Sequence, residues 1–399
     1  MQLARANFRV VTMSDWARQV SARCAMAGCI ALIAINSPVV AGDEPAKTDW
    51  VEEEFLAALG VDSSAAAESN ANDRAIVEAV PEITAATDSD EQLDALTENE
   101  SAPPSGHQIW LISSRAIKSC GDLNVAAERL RYWRHECGNG WIPASQEEFL
   151  AADDPAMPTT FYVHGNRVDA DYAREGGLDA YRAYVRKSDV PTRFVIWSWP
   201  ASPGGRPVEH FRIKADTSEI HSYYLAWLLD RMEPSVPVHL AGYSYGARFI
   251  TGSLHYLGGG VLMGRALDER VHPNRSPMRA SLLAAALDND WLIPGRRHGQ
   301  ALSQIDRLFI TKNQLDPVLH YYPIVLRDRS STAIGVSGFA GLSRIGAERA
   351  KVEQLNVSRA IGKHHTVDLY WEASCVTSVM SDLTVDVSGP AEVASAAAN

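Results

Sequence analysis

The segment Gly242-Tyr243-Ser244-Tyr245-Gly246 places a serine two residues from a glycine on either side. This spacing suits a nucleophile on a sharp, strained turn from a strand into a helix, where only small residues two positions away avoid a clash. The flanks fit. Val236–Ala241 is a short apolar run of strand type, and Tyr245–Tyr256 carries a helical pattern. Ser244 therefore falls at a helix N-terminus, where the dipole and free N–H groups favour developing negative charge. The pentapeptide alone recurs by chance, and its context makes it specific. An oxyanion hole needs backbone N–H donors. Tyr245 supplies one. The run Thr159–Val163 ends at His164-Gly165-Asn166, where Gly165 lets the backbone turn closely, so Asn166 or Gly165 supplies the other. His164 reads as a brace for that loop and not as a base.

These residues need elements to position them. Strand-type runs fall at His107–Ser113, Thr159–Val163, Arg193–Trp199, Val236–Ala241, Arg279–Ala286, Ile305–Thr311 and Val352–Val357. Helical patterns fall at Asp122–His135, Ala170–Arg186, Phe211–Met232 and Tyr245–Tyr256. Continuous apolar strands alternating with helices imply an α/β fold, a doubly wound and mostly parallel sheet covered on both faces. Ligands bind such sheets at the carboxyl ends of the strands.

A strand ending His-Gly-Asn, then Gly-Tyr-Ser-Tyr-Gly, then an acid and then a histidine resembles the α/β-hydrolase superfamily over roughly Met157–Trp371. Val195-Ile196-Trp197-Ser198-Trp199-Pro200 and Leu315-Asp316-Pro317-Val318-Leu319 are similar to an uncharacterised bacterial branch of it. The resemblance implies the chain order Ser, Asp or Glu, His, with the acid after the second strand beyond the nucleophile. Asp316 stands there, and Asp288 and Asp290 are the alternatives. It implies a base after the last strand, where Gly362-Lys363-His364-His365-Thr366 offers His365 first and His364 second. The implied activity is ester or thioester hydrolysis through an acyl-Ser244 intermediate, with neither cofactor nor metal, on a small-molecule or lipid-like acyl substrate. Amidase, peptidase and acyltransferase reactions use the same constellation. A non-catalytic binding protein of the cell envelope is the other class.

Some features stay open. Trp197 and Trp199 either wall an acyl pocket or pack in the core. Arg296-Arg297-His298 either meets an anionic substrate or forms a solvated loop. Asp290–Ser303 is too short for a large lid domain, and Gly258–Pro277 is a longer insertion. The turn after Val236–Ala241 is not G-x-G-x-x-G, which disfavours a dinucleotide-binding enzyme.

Charge divides the 399 residues unevenly. Residues 1–41 carry +3 and residues 42–100 carry −15, which together account for the whole net charge of −12. The remainder is neutral, with no basic stripe to suit a nucleic acid. Arg5, Arg9, Arg18 and Arg23 precede the apolar run Cys24–Ile35, and Val39-Val40-Ala41 follows, so 1–41 reads as a signal peptide or anchor. Residues 42–106 read as an acidic, Ala-rich, mostly disordered linker, with an envelope partner as its functional alternative. The hydrolase-like domain is placed at 107–378 and a flexible tail at 379–399. Export would put the protein in the periplasm or outside the cell, or at a membrane if the signal stays uncleaved. Oxidising conditions would allow a Cys120–Cys137 disulfide, with two buried thiols as the alternative and Cys375 left over and buried. Removing residues 42–106 is expected to leave the melting temperature of the remaining chain within about 2 °C; a scanning-calorimetry shift well beyond that would show that the segment packs on the domain.

Overall fold

The strands Arg193–Ser198, Val238–Tyr243 and Met278–Leu283 are buried at every position, as strands sandwiched between two helical layers must be. They belong to a nine-stranded sheet in a computed structural model that describes residues 106–117, 127–136, 138–204, 207–267, 270–326 and 331–385. The signal, nearly all of the linker, Cys120 and Cys137 lie outside the described residues. The strands are β1 (Gln108–Ser113), β2 (Arg131–Glu136), β3 (Gly140–Ala144), β4 (Thr159–Val163), β5 (Arg193–Ser198), β6 (Val238–Tyr243), β7 (Met278–Leu283), β8 (Ile305–Lys312) and β9 (Val352–Asn356). Their spatial order is β3-β2-β1-β5-β4-β6-β7-β8-β9. From β1 to β9 all neighbours are parallel, while β2 and β3 add as antiparallel strands at one edge.

Helices α1 (Gln146–Ala151), α2 (Ala170–Tyr184), α3 (Pro207–Leu229), α4 (Tyr245–Leu257), α5 (Pro317–Val325), α6 (Val367–Glu372) and α7 (Ser374–Val385) complete the frame. α3 packs along α4, which lies over β4, β6 and β7. α2, α6 and α7 form a second group, with α2 on β5 and α7 on β6, β7 and β8. The mostly parallel, helix-covered sheet expected from the sequence is therefore present. Its helix expected at Asp122–His135 is not: 122–126 lie outside the described residues, and Arg131–Glu136 is strand β2. Tertiary pairing decides this. β2 is hydrogen-bonded on both sides, and a turn with Gly138 at φ 80° and Gly140 at φ 71° returns the chain into β3.

The boundary placed at 378 also fails, because α7 runs through Val385 with Met380, Leu383 and Thr384 buried. Cys375, expected to be buried, is exposed. The insertion at 258–277 is anchored to the buried Asp230, whose carboxylate accepts from Arg270 Nε at 2.6 Å and from the Val271 N–H at 2.7 Å.

Two buried polar groups tie the layers together. Glu219 on α3 accepts from Arg248 Nε at 2.9 Å and also pairs with Arg297. Burial would raise its carboxyl pKa, but the two guanidinium groups outweigh burial and hold it at about 2. His239 on β6 sits between Thr384 Oγ1 of α7 at 3.0 Å and Ser281 Oγ of β7 at 2.8 Å. The Thr384 hydroxyl donates to Met380 O, so it accepts from His239 Nδ1–H, and the neutral ring is fully satisfied. Burial, with the charges of Arg279 and Arg307 adding to it, lowers the His239 pKa to about 3. Below the unfolded-state value near 6.5 the unfolded chain then binds a proton that the folded chain refuses, so stability falls as pH drops from about 6.5 towards 3. The slope from this residue is at most about 1.4 kcal/mol per pH unit. Urea midpoints measured between pH 7 and pH 5 are expected to fall less steeply in His239→Gln than in the parent. Equal slopes would mean that His239 protonates freely in the folded state.

Candidate active site

Ser244 leaves β6 and begins α4 with φ 55° and ψ −116°, a backbone conformation that side-chain-bearing residues rarely adopt. Three hydrogen bonds hold it: its N–H donates to Leu283 O at 2.9 Å, and its carbonyl accepts from Ala247 N–H at 3.1 Å and Ala286 N–H at 3.2 Å. The two flanking glycines are required sterically. A Cβ at Gly242 would meet Gly246 O at 2.5 Å, and one at Gly246 would meet Val163 O at 2.0 Å. Both contacts are with backbone, which cannot swing aside.

His365 Nε2 lies 3.1 Å from Ser244 Oγ, and His365 Nδ1 lies 2.7 Å from Asp316 Oδ2. A carboxylate only accepts, so Nδ1 carries the proton and Nε2 is left to accept from the serine hydroxyl. Asp316 is fully buried, and its other oxygen caps α5 by accepting from the Leu319 N–H at 3.0 Å. The acid is therefore fixed by the helix it starts. Asn313 ties this loop to the histidine loop: its Nδ2 donates to Gly362 O at 2.8 Å, and its Oδ1 accepts from the Leu315 N–H at 3.0 Å. Tyr243 supports the His365 ring from 5.3 Å between centroids, and burial pushes its phenol far above the usual range.

The other candidates lie elsewhere. His364 is exposed. Asp288 accepts from the Tyr322 hydroxyl at 2.6 Å, and Asp290 pairs with Arg296 at 3.3 Å. Trp197 and Trp199 are fully buried and do not line the cleft beside Ser244: Trp199 stacks on His164 at 5.7 Å and donates Nε1–H to His164 O at 2.9 Å. Side chains alternate across a strand, and the core claimed these two. Arg296 and Arg297 are exposed, as a solvated loop would have them, with Arg297 also paired to Glu219, while His298 is fully buried.

The loop after β4 completes the site. A Cβ on Gly165 would stand 3.2 Å from Ser244 Cβ, so a side chain there would crowd Ser244. The Tyr245 N–H, in the first turn of α4, has no intrahelical acceptor. Asn166 lines the same cleft, and its side-chain nitrogen and oxygen are shielded without a partner. His164 donates from Nδ1 to Gly165 O at 2.8 Å. The residue that fixes this loop, and that sequence reasoning missed, is Arg115. Buried after β1, it donates to Ser198 Oγ at 2.6 Å, Ser202 Oγ at 3.1 Å, Val168 O at 2.9 Å and Asp169 O at 3.0 Å. Nothing local marks it, since its partners lie about 50 to 90 positions along the chain.

The cleft encloses about 290 Å³ and is lined by Tyr162, Tyr172, Phe211, Val318 and Thr366, among others. A small apolar recess of about 20 Å³ opens beside Ser244, formed by Ala286, Leu319, Tyr322 and Val325 with Phe211 and Tyr245. Among the described residues no cluster of His, Cys, Asp or Glu is arranged to hold a metal ion. The elbow yields a direct test. Gly246→Ala is expected to destabilise the fold by more than about 2 kcal/mol, because the methyl group collides with backbone. Gly176→Ala in mid-α2, where the nearest atom would be 3.9 Å away, should be neutral or stabilising by up to about 1 kcal/mol. Urea melts of both variants check this, and a well-tolerated Gly246→Ala would rule out the close approach to Val163.

No family model matches the chain, and no curated protein does. Among solved structures it is similar to esterase B from Lactobacillus rhamnosis, at 11% identity and TM-score 0.35, over 83% of this chain and 93% of that one. It is also similar to acyl-protein thioesterase 2 from Zea mays, at 14% identity and TM-score 0.32, over 57% of this chain and 94% of that one. A third is the catalytic core of acetyl xylan esterase from Trichoderma reesei, at 11% identity and TM-score 0.32, over 59% of this chain and 98% of that one. Likenesses this partial say nothing about substrate. With a central, mostly parallel sheet, a strand–Ser244–helix elbow after β6, an acid after β8 and a histidine after β9, the chain has the α/β-hydrolase fold.

Proposed function

We propose that the protein is a serine hydrolase that cleaves an ester or thioester through an acyl-Ser244 intermediate. The observation that carries this reading is the unbroken run of hydrogen bonds from Ser244 Oγ through His365 to the buried Asp316, set at a strained elbow. In this reading His365 Nε2 takes the hydroxyl proton as Ser244 Oγ attacks the carbonyl carbon. The carbonyl oxygen gains negative charge and is met by the Tyr245 N–H and by a donor from Gly165 or Asn166. His365 then returns the proton to the leaving oxygen or sulfur, and the C–O or C–S bond breaks. Water attacks the acyl-enzyme along the same path in reverse. Asp316 holds the imidazole tautomer and stabilises the imidazolium in each half-reaction. The steps call on no metal or cofactor.

The apolar recess beside Ser244 accommodates only a small group, which favours short substituents on that side of the scissile bond. A fluorophosphonate probe is expected to label the folded protein and to fail on Ser244→Ala, while both melt at similar temperatures. Asp316→Asn should lower turnover of a simple aryl ester by on the order of 10³–10⁴-fold. Equal labelling of Ser244→Ala, or none of the parent, would exclude this function.

A further inference from the structure

The cleft beside Ser244 contains a cation that no described residue compensates. Arg167 follows the His164-Gly165-Asn166 turn and lines the cleft with Tyr162, Tyr172 and Thr366. It is half-buried, yet no group among the described residues accepts a hydrogen bond from its guanidinium or pairs with it. Other arginines meet carboxylates: Arg193 meets Asp153, Arg248 and Arg297 meet Glu219, and Arg270 meets Asp230; Arg174 on α2 makes no side-chain hydrogen bond but still has Asp171 at 3.6 Å. Among the described residues no Asp or Glu lines the cleft. Withdrawing a charge from water without a partner is unfavourable, and burial accordingly lowers the Arg167 pKa with nothing nearby to raise it.

The backbone gives no reason for an arginine at this position. Arg167 has φ 61°, a left-handed conformation in which glycine or asparagine would be less strained. Its neighbour Asn166 adds a second unsatisfied group, with both polar side-chain atoms shielded and unpartnered. Two adjacent side chains on one wall, one of them charged, thus have polar groups that no described residue partners.

We infer that Arg167 binds an anionic group of the substrate, a carboxylate or phosphate, so that the site prefers anionic esters to neutral ones. The inference rests on the hydrolase reading above. The planar guanidinium fork suits either oxyanion group, and a partly desolvated pairing is stronger than one at an open surface. The small apolar recess and the Arg167 cleft both adjoin Ser244, so a substrate with a short apolar group on one side of the ester and an anion on the other fits both.

Two matched ester pairs cover both placements of the charge. One is p-nitrophenyl hemiglutarate against its methyl ester, with the anion on the acyl side. The other is 4-acetoxybenzoate against its methyl ester, with the anion on the leaving group. After correction for spontaneous hydrolysis, the parent is expected to favour the anionic member of at least one pair by about tenfold or more in kcat/KM, mainly through KM. Arg167→Gln should bring that ratio close to one, and Arg167→Lys should keep part of it. Fluorophosphonate labelling of each protein reports Ser244 separately. Intact labelling with ratios near one in both pairs would overturn the inference. So would a preference that survives Arg167→Gln. A parent that takes no label fails the hydrolase reading itself, and this inference with it.

Discussion

The carbonyl oxygen of Val163 passes so close to Gly246 that the smallest side chain there would stand 2.0 Å from it. Much of the site's geometry follows from this approach. It brings the end of β4 against the first turn of α4, so the loop that follows β4 and the turn that carries Ser244 form one rigid piece. The strained φ of Ser244 costs on the order of 1–3 kcal/mol, and the surrounding sheet must offset it. The hydrogen bonds from the Ser244 N–H to β7 and to its carbonyl from Ala247 and Ala286 are how the sheet does so. Free N–H groups in the first turn of α4 and the Gly165 backbone then lie beside the serine without any further device.

The loops around this piece are stiffened by buried polar side chains. Arg115 reaches from β1 across β5 to the loop after β4 and donates to two hydroxyls and two carbonyls. Asn313 joins the loop after β8 to the loop after β9. Asp316 orients His365 with one oxygen while its other oxygen caps α5. Polar groups this deeply buried are costly unless satisfied, so each loop has one favourable arrangement. Arg167 and Asn166 depart from this pattern. They are unsatisfied among the described residues, and they line the same cleft as Ser244.

Local sequence made the frame and the elbow legible. Apolar, β-branched and aromatic runs such as Phe194–Trp197, bounded by turn residues and alternating with longer helical patterns, read as buried strands, and glycine at two-residue spacing around Ser244 has few steric meanings. The resemblance places Asp316 after the second strand beyond Ser244, with Asp288 and Asp290 as alternatives, and the structure adds that it caps the helix beginning at Pro317. Less was legible wherever a residue's state depends on distant partners. Tyr132 and Trp133 looked helical because a short apolar run fits either period, and only pairing with β1 and β3 makes them strand.

The sequence by itself determined an α/β frame, a serine at a strand-to-helix turn, and an order in which an acid and a histidine follow. The frame and the turn are set by periodicity and by backbone sterics, which act over a few residues; the order of acid and histidine is what the resemblance to the α/β-hydrolase superfamily implies. Tertiary structure decided which of two adjacent histidines turns inward, that Asp288 and Asp290 bond elsewhere, that Trp197 and Trp199 belong to the core, and that Arg115 clamps one wall of the cleft while Arg167 stays open to it. Each of those outcomes depends on which groups meet across the sheet. Burial and hydrogen-bond satisfaction are settled between residues tens to more than a hundred positions apart, and neighbours in the chain do not specify them.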